Sequence, residues 1–107
     1  MQKEITITEI SEYLLEKGIN AKYTGFDMLV YLIQISLKDY NNKRHIMKGY
    51  ENVGKEFNQR ISAVERNIRN TVRKTGLNNK TFLNLAVMEL EKKFGCGFYG
   101  KKLVLFN

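Results

Sequence analysis

Apolar residues recur every four positions within residues 50–74, and this spacing constrains the fold more than any other feature of the chain. Val64, Ile68 and Val72 share one face of a helix, because successive helical residues are about 100° apart. A helix with a single apolar stripe buries that stripe against other elements. The segment therefore predicts a helix that packs into a core along one edge and leaves its other side to solvent or to a partner.

The residues around this stripe predict how the helix begins and what precedes it. Ser62 stands three residues before Glu65, the spacing of a capping box, which satisfies free backbone N–H groups at a helix start. Residues 50–57 have the spacing of a preceding helix, and residues 58–60 form a short corner between the two. The pattern predicts a helix-turn-helix whose second helix spans residues 62–74.

The side of this second helix that lies opposite the apolar stripe is basic and polar. Arg66, Asn70 and Arg73 lie there, with Arg69 and Ala63 beside them. Arginine presents a planar pair of donors that matches guanine, and asparagine pairs in a similar way with adenine. Such a helix suits the major groove of duplex DNA. The alternative is an ordinary amphipathic hairpin whose arginines serve solubility.

Helical spacing over the rest of the chain predicts an all-α fold, a compact bundle of five to six helices. No proline interrupts the pattern. A first helix is expected over 8–17, stopped by Gly18, and an apolar central helix is expected from a Thr24–Asp27 capping box to about Asp39, ended by Asn41 and Asn42. A short element over 45–48 either stands alone or merges with the next helix. The last helix is expected to be capped by Asn79 or Thr81 and to bury Phe82, Leu83, Leu85, Ala86, Leu90 and Phe94.

The last thirteen residues break the helical pattern. We expect residues 1–94 to form the helix-turn-helix domain, and residues 95–107 to be a short irregular or strand-like tail that packs on this domain or extends from it. The apolar run 103–106 reads as a short strand or as a segment that docks on a partner.

Charge is concentrated in the middle of the chain. The net charge is +7 over 107 residues, and residues 43–80 hold ten basic and three acidic side chains against four and six in residues 1–42. Such a segment attracts polyanions and gains affinity by releasing counterions from phosphate. No apolar run reaches the roughly 20 residues needed to span a bilayer. The start of the chain lacks a secretion signal and the one cysteine forms no internal disulfide, so the cytoplasm is the expected compartment.

Nothing in the chain predicts an enzyme, a metal site or a cofactor. Residues 95–100 spell G-x-G-x-x-G, but the dinucleotide site needs a strand before the glycines and a helix after them. His45 and Cys96 are single residues of their kinds, too few for a metal site and without the third group of a catalytic triad. His45 instead suits a helix end or a phosphate contact.

The helix pair resembles a known DNA-binding domain. The motifs are Tyr50-x-x-Val53-Gly54-Lys55-x-Phe57-Asn58 and Ser62-x-Val64-Glu65-Arg66-x-Ile68-Arg69, preceded by Ile7-Thr8-Glu9-Ile10, Lys17-Gly18-Ile19-Asn20-Ala21-Lys22 and Gly25-Phe26-x-x-Leu29. In order and spacing they are similar to the effector domain of stage zero sporulation protein A, the response regulator of endospore formation in Firmicutes. The resemblance covers about residues 5–94. The 107 residues hold no counterpart of the phosphorylated receiver domain that precedes the effector domain in that family.

The resemblance implies a six-helix domain that binds promoter DNA, often as a dimer over paired boxes. It assigns base reading to Glu65, Arg66, Arg69 and Asn70. From their charge, or for serine from its hydroxyl and position, the residues expected to contact phosphate are Lys48, Lys55, Arg60, Ser62, Arg73 and Lys74, with Asn70 and Arg73 able to take either role. Ala63 stands where the family typically has arginine, which implies a related but different operator.

A protein-interaction module of the same fold is the alternative. Ala63 and the apolar run 103–106 motivate it, because a domain that has lost a base-reading arginine and carries an apolar tail could dock on another regulator or on RNA polymerase without binding DNA.

Overall fold

The computed structural model describes residues 4–101, and within them all regular structure is helical. This confirms the predicted all-α bundle. The run 103–106, predicted as a strand or a docking segment, lies outside the described residues. The helices are α1 (Ile7–Glu16), α2 (Thr24–Lys38), α3 (Asn41–Arg44), α4 (Ile46–Phe57), α5 (Ile61–Val72) and α6 (Asn79–Phe94), with a 3-10 turn at Arg73–Thr75 after α5.

Helix α2 forms the centre of the bundle, as its nearly continuous apolar sequence predicts. It packs against α1, α4, α5 and α6, and Leu32 and Ile33 have no exposed surface. Gly25 lies where α2 crosses α5: a Cβ atom at this position would overlap the Asn67 carbonyl and the Thr71 hydroxyl. The absence of a side chain at Gly25 therefore lets the two helices approach closely, which fixes α5 on the body of the protein.

The first helix begins at a cap that the sequence analysis did not identify. Thr6 Oγ1 accepts a hydrogen bond from the Glu9 amide at 3.1 Å, and Glu9 Oε1 accepts one from the Thr6 amide at 3.0 Å. At the other end the predicted glycine stop is confirmed, because Gly18 has φ +81° and the buried Ile19 donates its N–H back to the Leu14 carbonyl at 3.1 Å.

The predicted start of α2 is wrong, whereas its predicted end at about Asp39 is confirmed. Thr24 is the first helical residue rather than the cap, and Tyr23, which precedes it, makes no side-chain capping bond. At the other end α2 stops at Lys38 with Asp39 as its cap, and Asn41 and Asn42, predicted to end α2, also begin the short helix α3. The buried Asn42 amide donates to the carbonyls of Ile35 and Asp39 at 3.1 and 3.2 Å, so it satisfies the end of α2 from within the next helix.

The short element predicted over residues 45–48 merges into α4, which begins at Ile46, and His45 lies at the junction of α3 and α4 as a helix-end residue. The last helix begins at Asn79, so its cap precedes both predicted caps. Asn78, not Asn79 or Thr81, is the cap, since its Oδ1 accepts from the Thr81 amide at 2.8 Å. Of the side chains expected to be buried on α6, Leu85 and Phe94 are only half-buried; Phe82, Leu83, Ala86 and Leu90 are buried as predicted.

Residues 95–101 fold back on the end of α6 as a series of turns. The carboxylate of Glu91, which is 2% exposed, accepts hydrogen bonds from the Tyr40 hydroxyl at 2.5 Å and from the Tyr99 amide at 3.3 Å. The Tyr40 hydroxyl in turn accepts the Phe98 amide at 3.1 Å. We call residues 95–101 the C-terminal turn. Gly97 and Gly100 allow close packing on Glu91, and a helix rather than a strand precedes the glycines in the described residues, which is not the arrangement of a dinucleotide site.

Candidate nucleic-acid interface

Helices α4 and α5 meet at the predicted corner over residues 58–60. Asn58 adopts a left-handed conformation (φ 55°, ψ 50°), and Gln59 donates its N–H to the Gly54 carbonyl at 2.9 Å. A Cβ on Gly54 would lie 2.5 Å from the Gln59 carbonyl oxygen, so glycine is needed for this tight approach. Arg60 is extended (φ −70°, ψ 152°), which directs the chain into α5.

The predicted capping box at Ser62 is wrong. Helix α5 begins at Ile61, one residue earlier, and its cap position is Arg60, which makes no side-chain capping bond. Ser62 is thus already inside the helix, one residue past its start, and is exposed to solvent. Glu65 points instead toward the next turn of α5. The spacing of serine and glutamate is that of a capping box, but the extended residue that ends the corner decides where the helix starts.

The two faces of α5 are as different as the sequence predicts. Val64, Ile68 and Val72 are at most 1% exposed. On the opposite face the structure brings together four predicted site residues that are exposed to solvent, namely Arg66, Arg69, Asn70 and, in the 3-10 turn that follows, Arg73. Asn67 and Glu65 are partly buried at the two margins of this face. We call this exposed surface the reading face.

Two pairs of side chains on α5 hold each other in place. Arg69 Nη1 donates to both carboxylate oxygens of Glu65, at 2.6 and 2.9 Å, and Arg73 Nη2 donates to Asn70 Oδ1 at 3.3 Å. The Nη2 and Nε groups of Arg69 are not used in this pair and remain as donors. Arg66 makes no side-chain hydrogen bond or ion pair with any residue in 4–101, so its whole guanidinium group is available to a partner.

A polar junction joins α5 to the start of α6. The buried Asn79 amide nitrogen donates to the Tyr50 hydroxyl of α4 at 2.9 Å and to the Glu65 carbonyl of α5 at 3.2 Å. Burial raises the pKa of Tyr50, so this hydroxyl stays protonated. The sequence analysis considered Asn79 only as a cap, because its contacts depend on elements 14 and 29 residues away in the chain.

The predicted phosphate-binding residues are exposed but not all together. Lys55 and Arg60 line one open groove at the corner, while Lys48 lies in the first turn of α4 and Lys74 in the 3-10 turn after α5. Lys55 lies 3.6 Å from Glu51 in an exposed ion pair. Exposed pairs of this kind contribute little, so Lys55 remains accessible to a stronger anion.

Some lysines away from the reading face lie in ion pairs with glutamates. Lys17 pairs with Glu89 at 3.0 Å, and Lys93 with Glu16 at 3.7 Å, so that α1 and the end of α6 share their charges. The Tyr13 hydroxyl also donates to Glu89, and this bond, with help from Lys17, lowers the pKa of that carboxyl. By contrast, Arg60, Arg66, Arg73 and Lys74 have no acidic partner within residues 4–101. These four unpaired cations all lie within residues 60–74, on or beside the reading face.

Other kinds of site find no support in the described part of the chain. Residues 4–101 contain no group of three or more histidine, cysteine, aspartate or glutamate side chains placed to hold a metal ion. None of their helices combines the length and the apolar character needed to cross a bilayer.

Comparison with known proteins identifies the family. None of the curated proteins and none of the solved structures compared with the chain matches it significantly. The sequence does match the family described as sporulation initiation factor Spo0A C-terminal, over residues 10–94. The matched segment runs from α1 to the last residue of α6 and includes the corner, the reading face and the polar junction. The chain therefore belongs to the sporulation initiation factor Spo0A C-terminal family, a family of DNA-binding effector domains and not of enzymes.

Proposed function

We propose that this protein is a sequence-specific, double-stranded DNA-binding transcriptional regulator that reads the major groove with α5. The observation that carries the proposal is the reading face: exposed arginine and asparagine side chains on a helix whose other side is fully buried. A rigidly seated helix with bidentate donors on its exposed side is what base recognition requires.

Each residue of the interface receives a role from its surroundings. Arg66 and Arg69 contact base edges, with Arg66 free to use its full donor fork. Glu65 contacts a base through the lone pairs of its carboxylate that Arg69 does not use. Asn70 contacts a base when its Oδ1 atom is no longer bonded to Arg73. Contacts to phosphate come from Lys48, Lys55, Arg60, Ser62, Arg73 and Lys74; these fix the register of the protein on the duplex without reading sequence.

The test begins with selection of duplex sites from a random pool, followed by titration of the best site against unrelated DNA. Arg66→Ala and Arg69→Ala should each cost about 1–3 kcal/mol in specific affinity, roughly a fivefold to 150-fold loss, because each removes a bidentate base contact. Lys93→Ala is the matched control, since it also removes one positive charge but lies in an ion pair with Glu16. Specific binding that survives both arginine substitutions unchanged would rule out this reading face.

Two further partners belong to the proposal. We infer binding as a dimer over paired boxes, and a contact with RNA polymerase once the protein is on DNA in the cytoplasm. The dimer is checked by the stoichiometry of complexes on duplexes with one box and with two. A complex that stays one protein per duplex on two boxes would contradict it.

The alternative, a protein-interaction module of the same fold, remains a distinct hypothesis supported by Ala63, which lies partly exposed on the reading face. A mobility shift with genomic fragments at low and high salt discriminates the two. Binding that weakens steeply with salt supports the DNA-binding function, since that dependence measures released counterions. Absence of any shift at low salt would favour the alternative.

A further inference from the structure

We propose that Lys80, in the first turn of α6, is a phosphate anchor on one flank of the reading face, so that α6 is a third DNA-facing helix beside α4 and α5. The inference rests on the proposed function and extends it to a residue outside the helix-turn-helix.

The start of α6 is bonded directly to α5. Asn79 donates to the Glu65 carbonyl of α5 at 3.2 Å and to the Tyr50 hydroxyl of α4 at 2.9 Å. Lys80 is the next residue in the chain and is exposed. Its backbone therefore has a defined position relative to α5.

Lys80 and Arg69 line the same groove. This groove, of about 360 Å³, lies between α4, α5 and α6, and the pair formed by Glu65 and Arg69 makes its α5 side. Around the helix axis, Glu65 and Arg69 lie on the same side of Arg66, at roughly 100° and 60° from it. The groove is thus the continuation of the reading face toward α6.

The charge of Lys80 is available to an anion. No acidic residue in 4–101 pairs with it, and its Nζ donates only to the Arg44 carbonyl, at 3.3 Å in an exposed position. The one carboxylate on the groove, that of Glu65, is held by both oxygens on Arg69. A phosphate oxygen can replace the Arg44 carbonyl as acceptor and adds an attraction between full charges.

The dimensions of DNA explain why the anion is a backbone phosphate. A helix with its side chains is about 10–12 Å wide and nearly fills a major groove of about 12 Å. A protein segment that packs against the side of such a helix therefore faces the DNA backbone at the edge of the major groove. The lysine ammonium group binds phosphate as a point charge and carries no sequence information.

The test compares two exposed lysines on the same helix, in the full chain. Lys80→Gln and Lys92→Gln each remove one positive charge, at positions about 18 Å apart along α6. Lys80→Gln should weaken binding roughly fivefold to tenfold at about 0.1 M salt and reduce the slope of log affinity against log salt by about 0.9, on selected and unrelated duplexes alike. Lys92→Gln should keep the wild-type slope.

A third variant separates charge from local structure. Lys80→Arg keeps the positive charge and should retain the wild-type slope, whereas a purely structural role of lysine in bonding the Arg44 carbonyl would leave all slopes equal. Equal slopes for Lys80→Gln and wild type, or equal losses for Lys80→Gln and Lys92→Gln, overturn the anchor and leave the proposed function standing. A wild-type chain that binds no duplex overturns both.

Discussion

Side-chain caps secure the starts of α1 and α6, whereas α5 begins without one. Thr6 and Asn78 each accept a backbone N–H from their helix's first turn, at 3.1 and 2.8 Å. At α5 the corner takes this role, because Asn58 turns the chain and the half-buried Ile61 packs against the core as the first helical residue. The stability of that end therefore comes from packing and backbone geometry, and Ser62 is left free for a partner.

The caps give a prediction at the scale of single residues. Asn78→Ala should lower the free energy of unfolding by about 1 kcal/mol, because it leaves the Thr81 amide without an acceptor. Ser62→Ala should change it by less than about 0.5 kcal/mol, as expected for an exposed position with no bond to lose. Urea unfolding of the two variants and the wild type measures both values. A loss at Ser62 as large as that at Asn78 would mean that Ser62 does cap α5.

At the scale of elements, apolar periodicity predicted the long helices well, because burial along one stripe determines them. It missed α3, whose four residues are too few to show a period. It also misplaced several helix starts. A pattern such as Thr24–Asp27 identifies residues that are able to cap a helix. The conformation of the residues before the helix decides which residue is the cap, and this conformation depends on tertiary packing.

The C-terminal turn is a structural element that packs on Glu91 of α6. Gly95 and Gly97 both have φ +65°, so alanine is strained at either position. They differ in their surroundings: a Cβ on Gly95 meets nothing within 4 Å, whereas one on Gly97 would overlap the Glu91 carboxylate. Glu91 is buried and bonded to Tyr40, so it cannot move aside without breaking that bond.

This difference predicts that Gly97→Ala is the more damaging of the two substitutions. Both should lose about 1–2 kcal/mol of stability from the left-handed backbone, and Gly97→Ala should lose roughly 1–3 kcal/mol more from crowding. Thermal and urea unfolding of the pair provide the comparison. If the two variants were equally stable, the C-terminal turn would not be seated on Glu91 in solution.

At the scale of the whole molecule, partly buried hydroxyl–carboxylate bonds connect elements that are far apart in sequence. Tyr13 of α1 bonds Glu89 of α6, and Tyr40, just before α3, bonds Glu91. Burial, with the bond to Glu91, raises the pKa of Tyr40 from 10.0 to about 12. The unfolded chain thus releases this proton at lower pH than the folded one. The stabilisation that follows from the raised pKa of Tyr40 is therefore complete below pH 10 and is lost as the pH rises toward 12.

The pH dependence should therefore differ between wild type and Tyr40→Phe. Between about pH 10 and 12 the free energy of unfolding should fall more steeply in the wild type, by at most the slope of one proton, because the variant lacks this titration. Tyr13 is present in both proteins, so its own raised pKa cancels in the comparison. Urea unfolding at half-unit steps of pH measures the two slopes, and parallel curves would contradict the assignment.

The interface was predictable from sequence in part. Its faces follow from helical spacing around Ile68, so Arg66, Arg69 and Asn70 were placed together correctly. The ion pair of Glu65 with Arg69 was not predicted, because Ser62 stands three residues earlier and the carboxylate was assigned to a capping box instead. The contacts of Asn79 depend on three helices meeting, which one helix's pattern does not contain.

The uneven distribution of acidic and basic residues along the chain also gives the molecule an electric polarity. Residues 1–42 carry more acid than base, and residues 43–80 the reverse. In the field of a polyanion such a body experiences a torque that turns its positive side forward while it is still diffusing. At physiological ionic strength this acts over a screening distance of about 8 Å, so orientation occurs in the last steps of approach and fades as salt is added. Encounters would then be productive more often than random collision allows.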